Sequence, residues 1–429
     1  MMRTDPLSGT TGPGAGPGAV LPDELHLRNA RRRGADERIA VVVRGGLIAW
    51  IGADTDAPVP PDGATQIDAN GALVLPGFCD SHLHLFAGGV SLQRLNLAAI
   101  HDVATLATAL AAFSAGLPAA EMLCAYGANY DLVGPHRRPD RHVLDKILPD
   151  HAVYIAATDG HCAWANTAAL QRAGILGGAT VDPGSDVVMG PDGLASGELL
   201  EFSAMDRVSR MASSAGRENC GLMGVEPHST DATARAFDKA TLLAATLACA
   251  EAGITSVCNM DGNIYQAELL GELADKGRLV INVSLPMTLV PGMTNDRRRA
   301  LYDQAAQPAR GKLRFGAVKM FMDGVFDTGT AFRTDDYPDR PGFRGVPLFD
   351  PSEFARNCIE ADACGLQIAT HAVGDGAVRA TLDGYAAARK ANGARDSRHR
   401  VEHIDMLHPD DLHRLRALGV IASMQPVHP

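Results

Sequence analysis

Residues 73–85 read LVLPGFCDSHLHL, an apolar run that leads into two histidines. On an extended strand, residues two positions apart project to the same face. His82 and His84 therefore share a face at the end of a predicted strand, where two imidazoles can bind a single metal ion. Taken alone, such a pair is about as often a chance feature of a polar loop.

Apolar runs and helical stretches alternate along the rest of the chain. We predict seven strands: Leu73–Phe78, Gly253–Asn259, Leu279–Leu285, Arg314–Met322, Leu366–Ala372, Arg400–Ile404 and Val420–Pro426. Most are continuous apolar runs, which are typical of parallel strands covered on both faces. Three helices are predicted from Gly at their ends and, in two, Pro at their starts: Ala232–Ala252, Pro351–Cys364 and Pro409–Leu418. Repeated strand–helix units predict an α/β fold, either a barrel or a doubly wound sheet.

The chain is predicted to contain three regions and one long insertion. Residues 1–22 are rich in Gly, Pro, Ser and Thr, which is typical of a disordered tail. Residues 23–75 contain a hairpin pattern at 39–52 and are predicted to form a small all-β unit. Residues 76–429 contain the strand–helix units. Within them, residues 86–230 are predicted to be an inserted region, because ordinary βα connections are far shorter.

The composition is that of a globular enzyme, and it limits the partners of this protein. With 46% hydrophobic residues the chain can bury a core, but its net charge of −11 provides no basic face for nucleic acid. No apolar run approaches the roughly 18 residues of a membrane helix, and the start of the chain lacks the apolar core of a signal peptide. We therefore expect a cytoplasmic protein that acts on a small molecule. A homo-oligomer is compatible with the sequence, which does not specify one.

Four histidines and one lysine lie at or near the ends of predicted strands. Two of them are His82 and His84. The others are Lys319 in FGAVKMFM, His371 after LQIAT, and His403 after RVE. Each of them alone more often has a structural role, as a hydrogen-bonded histidine or a paired lysine. In a parallel barrel, however, the carboxyl ends of all strands meet at one mouth, where active sites form. A desolvated lysine there has a lowered pKa, and its neutral amine can capture carbon dioxide as a carbamate.

Four motifs are distributed over nearly the whole chain: PGFCDSHLH at 76–84, VKMFMDG at 318–324, THAVGD at 370–375 and RVEHID at 400–405. Two more, DGHCAWANTAAL at 159–170 and SGELLE at 196–201, lie in the inserted region. Together they resemble the metal-dependent amidohydrolase superfamily, in the YtcJ-like branch (amidohydrolase family 3) that includes N-substituted formamide deformylase. The resemblance implies a (β/α)8 TIM-type barrel beside a small β-sandwich that is built from both ends of the chain.

The resemblance also implies a metal site and a reaction. By motif position, the metal ligands are His82, His84, Lys319, His371 and His403, with Lys319 carboxylated. One or two divalent ions are implied, and zinc is the expected metal. The implied reaction is hydrolysis of an amide-type, non-peptide C–N bond by a metal-bound hydroxide. The alternatives are a deaminase or an esterase that uses the same metal site.

The end of the chain departs from the family pattern. The family's remaining ligand, which also serves as general base, is an Asp at the end of the eighth strand. Here the sequence stops at ASMQPVHP, which matches the seventh strand, so the eighth strand and its Asp are absent and the catalytic base is unknown. We expect a fragment of a longer protein. The alternative is a catalytically inactive homologue with a binding or regulatory role.

Four further residues are candidates for substrate binding. The family match predicts that His161, with Asp159 and Trp164 near it, lines the substrate pocket. The alternative is that Trp164 is a packing anchor and His161 caps a helix. Asp323 is expected either to hydrogen-bond the substrate, to brace the loop after Lys319, or to be an ordinary turn residue before Gly324.

Overall fold

The computed structural model describes residues 23–118, 120–134, 138–158, 160, 162–181, 185–228, 230–326 and 329–425. The chain divides into two compact units, the first ending at Cys79 and the second beginning at Asp80. The predicted tail, residues 1–22, lies outside the described residues. In the part of the chain that is described, no helix is long and apolar enough to cross a membrane.

The first unit contains one sheet of four strands. These are β1 (Glu24–Arg31), β2 (Arg38–Arg44), β3 (Leu47–Ala53) and β4 (Thr65–Asp68), with a short 3-10 turn at Asp54–Asp56. Their order is β3-β2-β1-β4. The predicted hairpin is confirmed, because β2 and β3 pair antiparallel. Gly45 and Gly46 form its turn with φ angles of 56° and 77°, which glycine adopts without steric cost.

The next strand, β5 (Phe78–Leu83), begins later than the sequence predicts. The predicted strand Leu73–Phe78 is wrong in position, because Pro76 and Gly77 interrupt it. Proline has no backbone N–H to donate to a sheet, and the strand forms only after it. As a consequence, His82 lies within the strand and His84 directly precedes the helix that follows.

The segment after β5 has a sheet of its own. Its elements are α1 (Leu85–Ser91), β6 (Leu95–Asn96), α2 (Val103–Ser114), β7 (Leu123–Ala128), α3 (Arg141–Ile147), β8 (Val153–Ala157), β9 (Cys162–Ala165), α4 (Thr167–Arg172), β10 (Asp186–Met189), β11 (Ala195–Leu200), α5 (Glu201–Ser209) and a 3-10 turn at Arg217–Asn219. The six strands are ordered β10-β11-β9-β8-β7-β6. Hydrophobic clusters pack against both faces of this sheet.

The remainder of the second unit alternates strands and helices. The elements are α6 (Ala232–Glu251), β12 (Ile254–Asn259), α7 (Ile264–Asp275), β13 (Asn282–Ser284), β14 (Met287–Thr288), α8 (Asn295–Ala305), β15 (Leu313–Arg314), β16 (Ala317–Phe321), α9 (Pro351–Ala363), β17 (Gln367–Ala372), α10 (Asp375–Asn392), β18 (Arg400–His403), α11 (Pro409–Leu418) and β19 (Ile421–Ser423). The three helices predicted from sequence punctuation are confirmed as α6, α9 and α11.

These strands form two sheets, ordered β15-β13-β12-β5 and β14-β16-β17-β18-β19. The described pairings from β12 to β19 are parallel, so the predicted α/β fold with parallel strands is confirmed. The predicted strand Leu279–Leu285 contains only β13, and the short strand β14, which was not predicted, follows Pro286. The predicted strand Arg314–Met322 is interrupted, because Gly316 with a φ of 118° separates β15 from β16. Closure into a complete barrel, the β-sandwich and the missing eighth strand stay predictions.

Contacts between β5 and β18 bring distant strands together. Arg400 in β18 donates a hydrogen bond from Nη2 to the backbone oxygen of Ser81 in β5, at 2.8 Å. The two strands belong to different sheets, and this bond joins them. A single large hydrophobic core, which includes Val318, Ile368 and Val401, surrounds these strands. Contacts between side chains of β5, β17 and β18 place the carboxyl ends of these three strands at one site.

Candidate metal centre

Four histidine rings form a continuous cluster at these strand ends. The ring centroids of His82 and His84 are 5.5 Å apart, and those of His82 and His403 are 4.8 Å apart. His371 lies 4.5 Å from His403, measured in the same way. The structure thus brings together all four histidines that the sequence selects.

The backbone at the end of β18 is strained where the cluster forms. His403 has a φ of 74° and Ile404 a φ of 56°. Such angles are unfavourable for residues with a side chain, at a cost of roughly 1–3 kcal/mol each. The Ile404 N–H donates to the backbone oxygens of Ala372 and Glu402, at 3.2 and 3.1 Å, which holds this turn against β17. The bond to Ala372 therefore holds the turn that carries His403 beside the strand of His371.

Lys319 in β16 is fully buried beside the cluster. Its Nζ has no hydrogen-bond partner among the described residues and lies 4.7 Å from the centre of the Phe321 ring. Burial lowers the pKa of Lys319 to about 8, although the negative charge of Glu402 opposes this effect. The direction of this shift is the one expected for a desolvated lysine.

Glu402 in β18 was not selected from the sequence, yet it links His82 of the cluster to Arg400. It is completely buried, and its carboxylate accepts from His82 Nδ1 at 2.8 Å and from Arg400 Nε at 2.7 Å. Burial raises the pKa of Glu402, but the bonds from His82 and Arg400 outweigh burial and lower it to about 2. An Nδ1–H that donates to a carboxylate leaves Nε2 of His82 as the nitrogen for a metal. Arg and Glu two positions apart in a buried strand are the sequence signal for this pair.

Asp323 follows β16 and braces the loops around His371. Its buried carboxylate accepts backbone N–H bonds from Phe332, Val373 and Gly374, at 2.8, 2.9 and 2.9 Å. Burial raises the pKa of Asp323 to about 6, against the effect of these bonds. All three of these hydrogen bonds come from backbone N–H groups of neighbouring segments. They correspond to the expectation that Asp323 braces the loop after Lys319, and not to an ordinary turn residue before Gly324. Direct contact with a substrate stays a prediction.

The other substrate-binding candidates lie in the segment after β5. Trp164 is fully buried in a hydrophobic cluster, and its ring meets that of Tyr130 edge-on, with centroids 5.5 Å apart. This environment corresponds to the packing alternative. Asp159 and His161 lie outside the described residues. A role of these three residues in substrate binding stays a prediction.

Asp261, just after β12, is a second acidic residue that the sequence did not reveal. It is completely buried, and its Oδ2 lies 3.9 Å from Nδ1 of His84. Burial raises the pKa of Asp261 to about 7. Only its position in NMDGN after an apolar strand marks it in the sequence, and many turn residues share that context.

The chemistry of this cluster fits a divalent ion. Imidazole nitrogens and carboxylate oxygens are ligands that zinc accepts. Three side chains have buried polar atoms without a hydrogen-bond partner in the described chain: Nδ1 of the partly exposed His84, Nζ of Lys319 and both carboxylate oxygens of Asp261. Unsatisfied buried polar atoms are costly, and a cation would satisfy the histidine and the carboxylate. Among the described residues, no three His, Cys, Asp or Glu side chains are already arranged to hold one ion, so binding requires side-chain rotation.

Comparisons with known proteins agree on the family. Residues 65–429 match the sequence model of the amidohydrolase family. The protein LONG AFTER FAR-RED 3 of Arabidopsis thaliana is 30% identical over 400 residues, which are 91% of this chain and 65% of that protein. The putative amidohydrolase YtcJ of Bacillus subtilis (strain 168) is 27% identical over 366 residues, or 84% of this chain and 64% of that protein. This chain therefore spans slightly less than two thirds of the length of either relative.

Two further similarities extend over nearly the whole chain. N-substituted formamide deformylase of Arthrobacter pascens is 26% identical over 426 residues, which are 94% of this chain and 73% of that protein. An uncharacterized metal-dependent hydrolase of Pyrococcus horikoshii OT3 has a similar fold, with a TM-score of 0.67, 22% identity, and coverage of 94% of this chain and 74% of that one. The motifs, the parallel strands and these matches lead to one conclusion: the chain belongs to the amidohydrolase family, in its YtcJ-like branch.

Proposed function

We propose that this chain carries the metal site of a hydrolase that cleaves an amide-type, non-peptide C–N bond in a small molecule. The observation that carries the proposal is the convergence of His82, His84, His371 and His403 with the buried Lys319 at the ends of parallel strands. The similarity to a protein named for deformylation of N-substituted formamides supports an amide substrate.

The histidines are suited to be the ligands of one or two divalent ions, for which zinc is the proposed metal. Burial, with a smaller contribution from the charge of Lys319, lowers the pKa of both His84 and His371 to about 3. Their rings are therefore neutral near pH 7, and a neutral imidazole is the form that binds a metal. A bound divalent ion supplies Lewis acidity, which polarises a substrate carbonyl and lowers the pKa of a coordinated water.

Lys319 has a chemical role of its own in this proposal. With a pKa of about 8, a fraction of its amine is neutral near pH 7, unlike an ordinary lysine. The neutral nitrogen attacks carbon dioxide, a C–N bond forms, and one proton leaves, which gives a carbamate with a negative charge. The carbamate would offer an oxygen ligand to the metal ion. Its formation also removes from the protein interior an ammonium that has no hydrogen-bond partner among the described residues.

The remaining residues position the ligands. Glu402 accepts from Nδ1 of His82 and fixes the orientation of that ring. Asp323 joins the turn after β16 to the end of β17, and the backbone oxygen of Gly324 in that turn contacts Nε2 of His371 at 3.0 Å. We assign no general base among the described residues.

The experiment is an assay of the zinc-loaded chain on an N-substituted formamide, a simple ester and a cyclic amidine. We expect release of free amine and formate from the formamide. The variant His82→Ala is expected to lose bound zinc and to lower kcat/KM at least about 100-fold, because a ligand that carries the metal chemistry is removed.

His101→Ala is the matched control, because His101 is exposed and forms an exposed ion pair with Asp131. It should retain both zinc and activity. Ammonia from the amidine alone would favour a deaminase, and alcohol from the ester alone would favour an esterase. Bound zinc without turnover of any substrate would favour the inactive homologue, and zinc binding that is unchanged in His82→Ala would contradict the proposed metal site.

A further inference from the structure

The carboxylate of Asp261 is buried without an obvious partner. Its side chain has no exposed surface, and neither oxygen accepts a hydrogen bond from a described residue. Its own backbone N–H and the Asn259 amide are close enough to favour the charged form, but burial has the larger effect on its pKa. Buried polar groups in folded proteins are nearly always hydrogen-bonded. A carboxylate in this condition therefore points to a ligand.

The surroundings of Asp261 are ordered by a buried amide network. Oδ1 of Asn259 accepts from the Leu85 N–H at 2.8 Å, and Nδ2 of Asn259 donates to Oε1 of Gln266 at 3.1 Å. Nε2 of Gln266 donates to the backbone oxygen of Asp261 at 2.8 Å. The network satisfies the backbone around Asp261 but not its carboxylate. It also fixes the end of β12 against the start of α1, next to His84.

Close backbone contacts prevent this turn from moving away. A side chain at Gly221 would place its Cβ 1.7 Å from the backbone oxygen of Asp261. A Cβ at Gly262 would lie 2.2 Å from the backbone oxygen of Pro286. Both positions therefore need glycine, and the turn is enclosed on two sides. The Asp261 carboxylate cannot reach solvent by a small shift of its backbone.

Another unsatisfied atom, Nδ1 of His84, lies 3.9 Å from Oδ2 of Asp261. This atom is itself buried, although the His84 ring is partly exposed, and it has no hydrogen-bond partner in the described chain. This separation is too long for a hydrogen bond. Two ligand atoms on one tetrahedral zinc, each about 2.1 Å from the metal, lie roughly 3.4 Å apart. A small side-chain rotation would thus bring the two atoms to the separation of ligands that share an ion.

We propose that Asp261 is a metal ligand, and that its carboxylate and Nδ1 of His84 bind the same divalent ion. The inference rests on the proposed function, because it adds an oxygen ligand to the same metal site. It explains why a carboxylate is held rigidly in the interior without hydrogen-bond donors. Neutral histidines leave the positive charge of a divalent ion uncompensated in the interior. The carboxylate of Asp261, as an anionic ligand, would offset part of that charge.

The test compares the wild-type chain with Asp261→Asn, which keeps the shape of the side chain and removes its charge. Zn²⁺ binding to the metal-free proteins is measured by competition with a chelator, and Co²⁺ binding by visible absorption. We expect zinc affinity to fall more than about 100-fold, beyond the 10–100-fold typical of residues that only brace a ligand. The Co²⁺ spectrum should change, because the coordination of the ion changes. The melting temperature of the metal-free protein should stay equal or rise, since an unpaired buried charge is removed.

Asp362→Asn is the matched control, because Asp362 is also buried but is bonded to Arg395 and Asn392. It should lower the melting temperature and leave zinc affinity unchanged. If Asp261→Asn behaves like this control, Asp261 is structural and the inference is wrong. A wild-type chain that binds neither ion would instead refute the proposed function itself. Asp261→Ser, with the same expected loss of affinity, replaces Asp261→Asn if that variant does not fold.

Discussion

Replacing Lys319 by methionine is expected to stabilise the metal-free protein and to abolish most of its activity. The ammonium of Lys319 is fully buried, and no described residue accepts a hydrogen bond from it. Methionine has a similar length, no charge and a flexible side chain that fills irregular spaces. The variant therefore loses the cost of a buried charge, on the order of 3 kcal/mol for a pKa lowered from 10.5 to about 8. It also loses the amine that would form the carbamate, so we expect kcat/KM to fall at least about 100-fold.

The lowered pKa of Lys319 also predicts how the difference in stability between the variant and the wild type changes with pH. Between pH 10.5 and 8, the unfolded chain binds a proton at Lys319 while the folded chain does not. The wild-type free energy of unfolding should therefore decrease as the pH is lowered from 10.5 to 8, because of the protonation of Lys319. Below pH 8 the contribution of Lys319 to the free energy of unfolding should stay constant. Lys319→Met lacks this decrease, so its advantage over the wild type should grow from pH 10.5 to 8.

Urea denaturation at several pH values measures this difference. Lys146→Met is the control, because Lys146 is exposed. It should follow the wild-type curve closely. A Lys319→Met variant that is less stable than the wild type over the whole pH range would show that Lys319 forms a stabilising ion pair, which contradicts our interpretation.

Replacing Glu402 by glutamine is expected to destabilise the protein and to weaken metal binding. Glutamine cannot accept from both His82 and Arg400 as a carboxylate does, and the buried Arg400 would lose its counter-ion. Removing one partner of a buried ion pair costs about 3–5 kcal/mol. Because the His82 ring would also lose the partner that orients it, zinc affinity should fall about 10–100-fold.

Thermal unfolding of the metal-free protein and zinc titration measure these two effects separately. Glu360→Gln provides the control, since Glu360 pairs with Arg298 but is partly exposed. It should change stability by less than about 1 kcal/mol and leave zinc affinity unchanged. Zinc affinity equal to the wild type in Glu402→Gln would show that Glu402 does not position a metal ligand.

The sequence predicts the strand ends of this site better than the strands themselves. Parallel strands share one direction, so residues that follow separate apolar runs, such as His371 and His403, are expected to meet at one edge. The positions of β5, β13 and β15 depend on Pro76, Pro286 and Gly316, which interrupt runs that look continuous by hydrophobicity. The α/β class and the histidine cluster were therefore predictable, while the interruptions shift the element boundaries.

The acidic residues of the site could not be predicted in the same way. Glu402 and Asp261 are recognisable only by their burial and by which donors they have or lack, and both are properties of the tertiary structure. In the sequence they resemble ordinary charged residues beside a strand. Trp164 illustrates the reverse case, since a conspicuous aromatic residue within a motif is fully buried in a hydrophobic cluster. The local sequence indicates which strand ends carry reactive side chains. Only the burial of a polar group in the tertiary structure shows whether that group needs a ligand.

The central claim is that a divalent ion binds at the histidine cluster. Anomalous X-ray diffraction at the zinc edge, from crystals of the zinc-loaded chain, tests it most directly. We predict an anomalous peak within bonding distance of nitrogens from His82 and His84, with His371 and His403 beside it. A zinc-loaded crystal with no peak at this cluster, or with its peak elsewhere in the molecule, would contradict the claim.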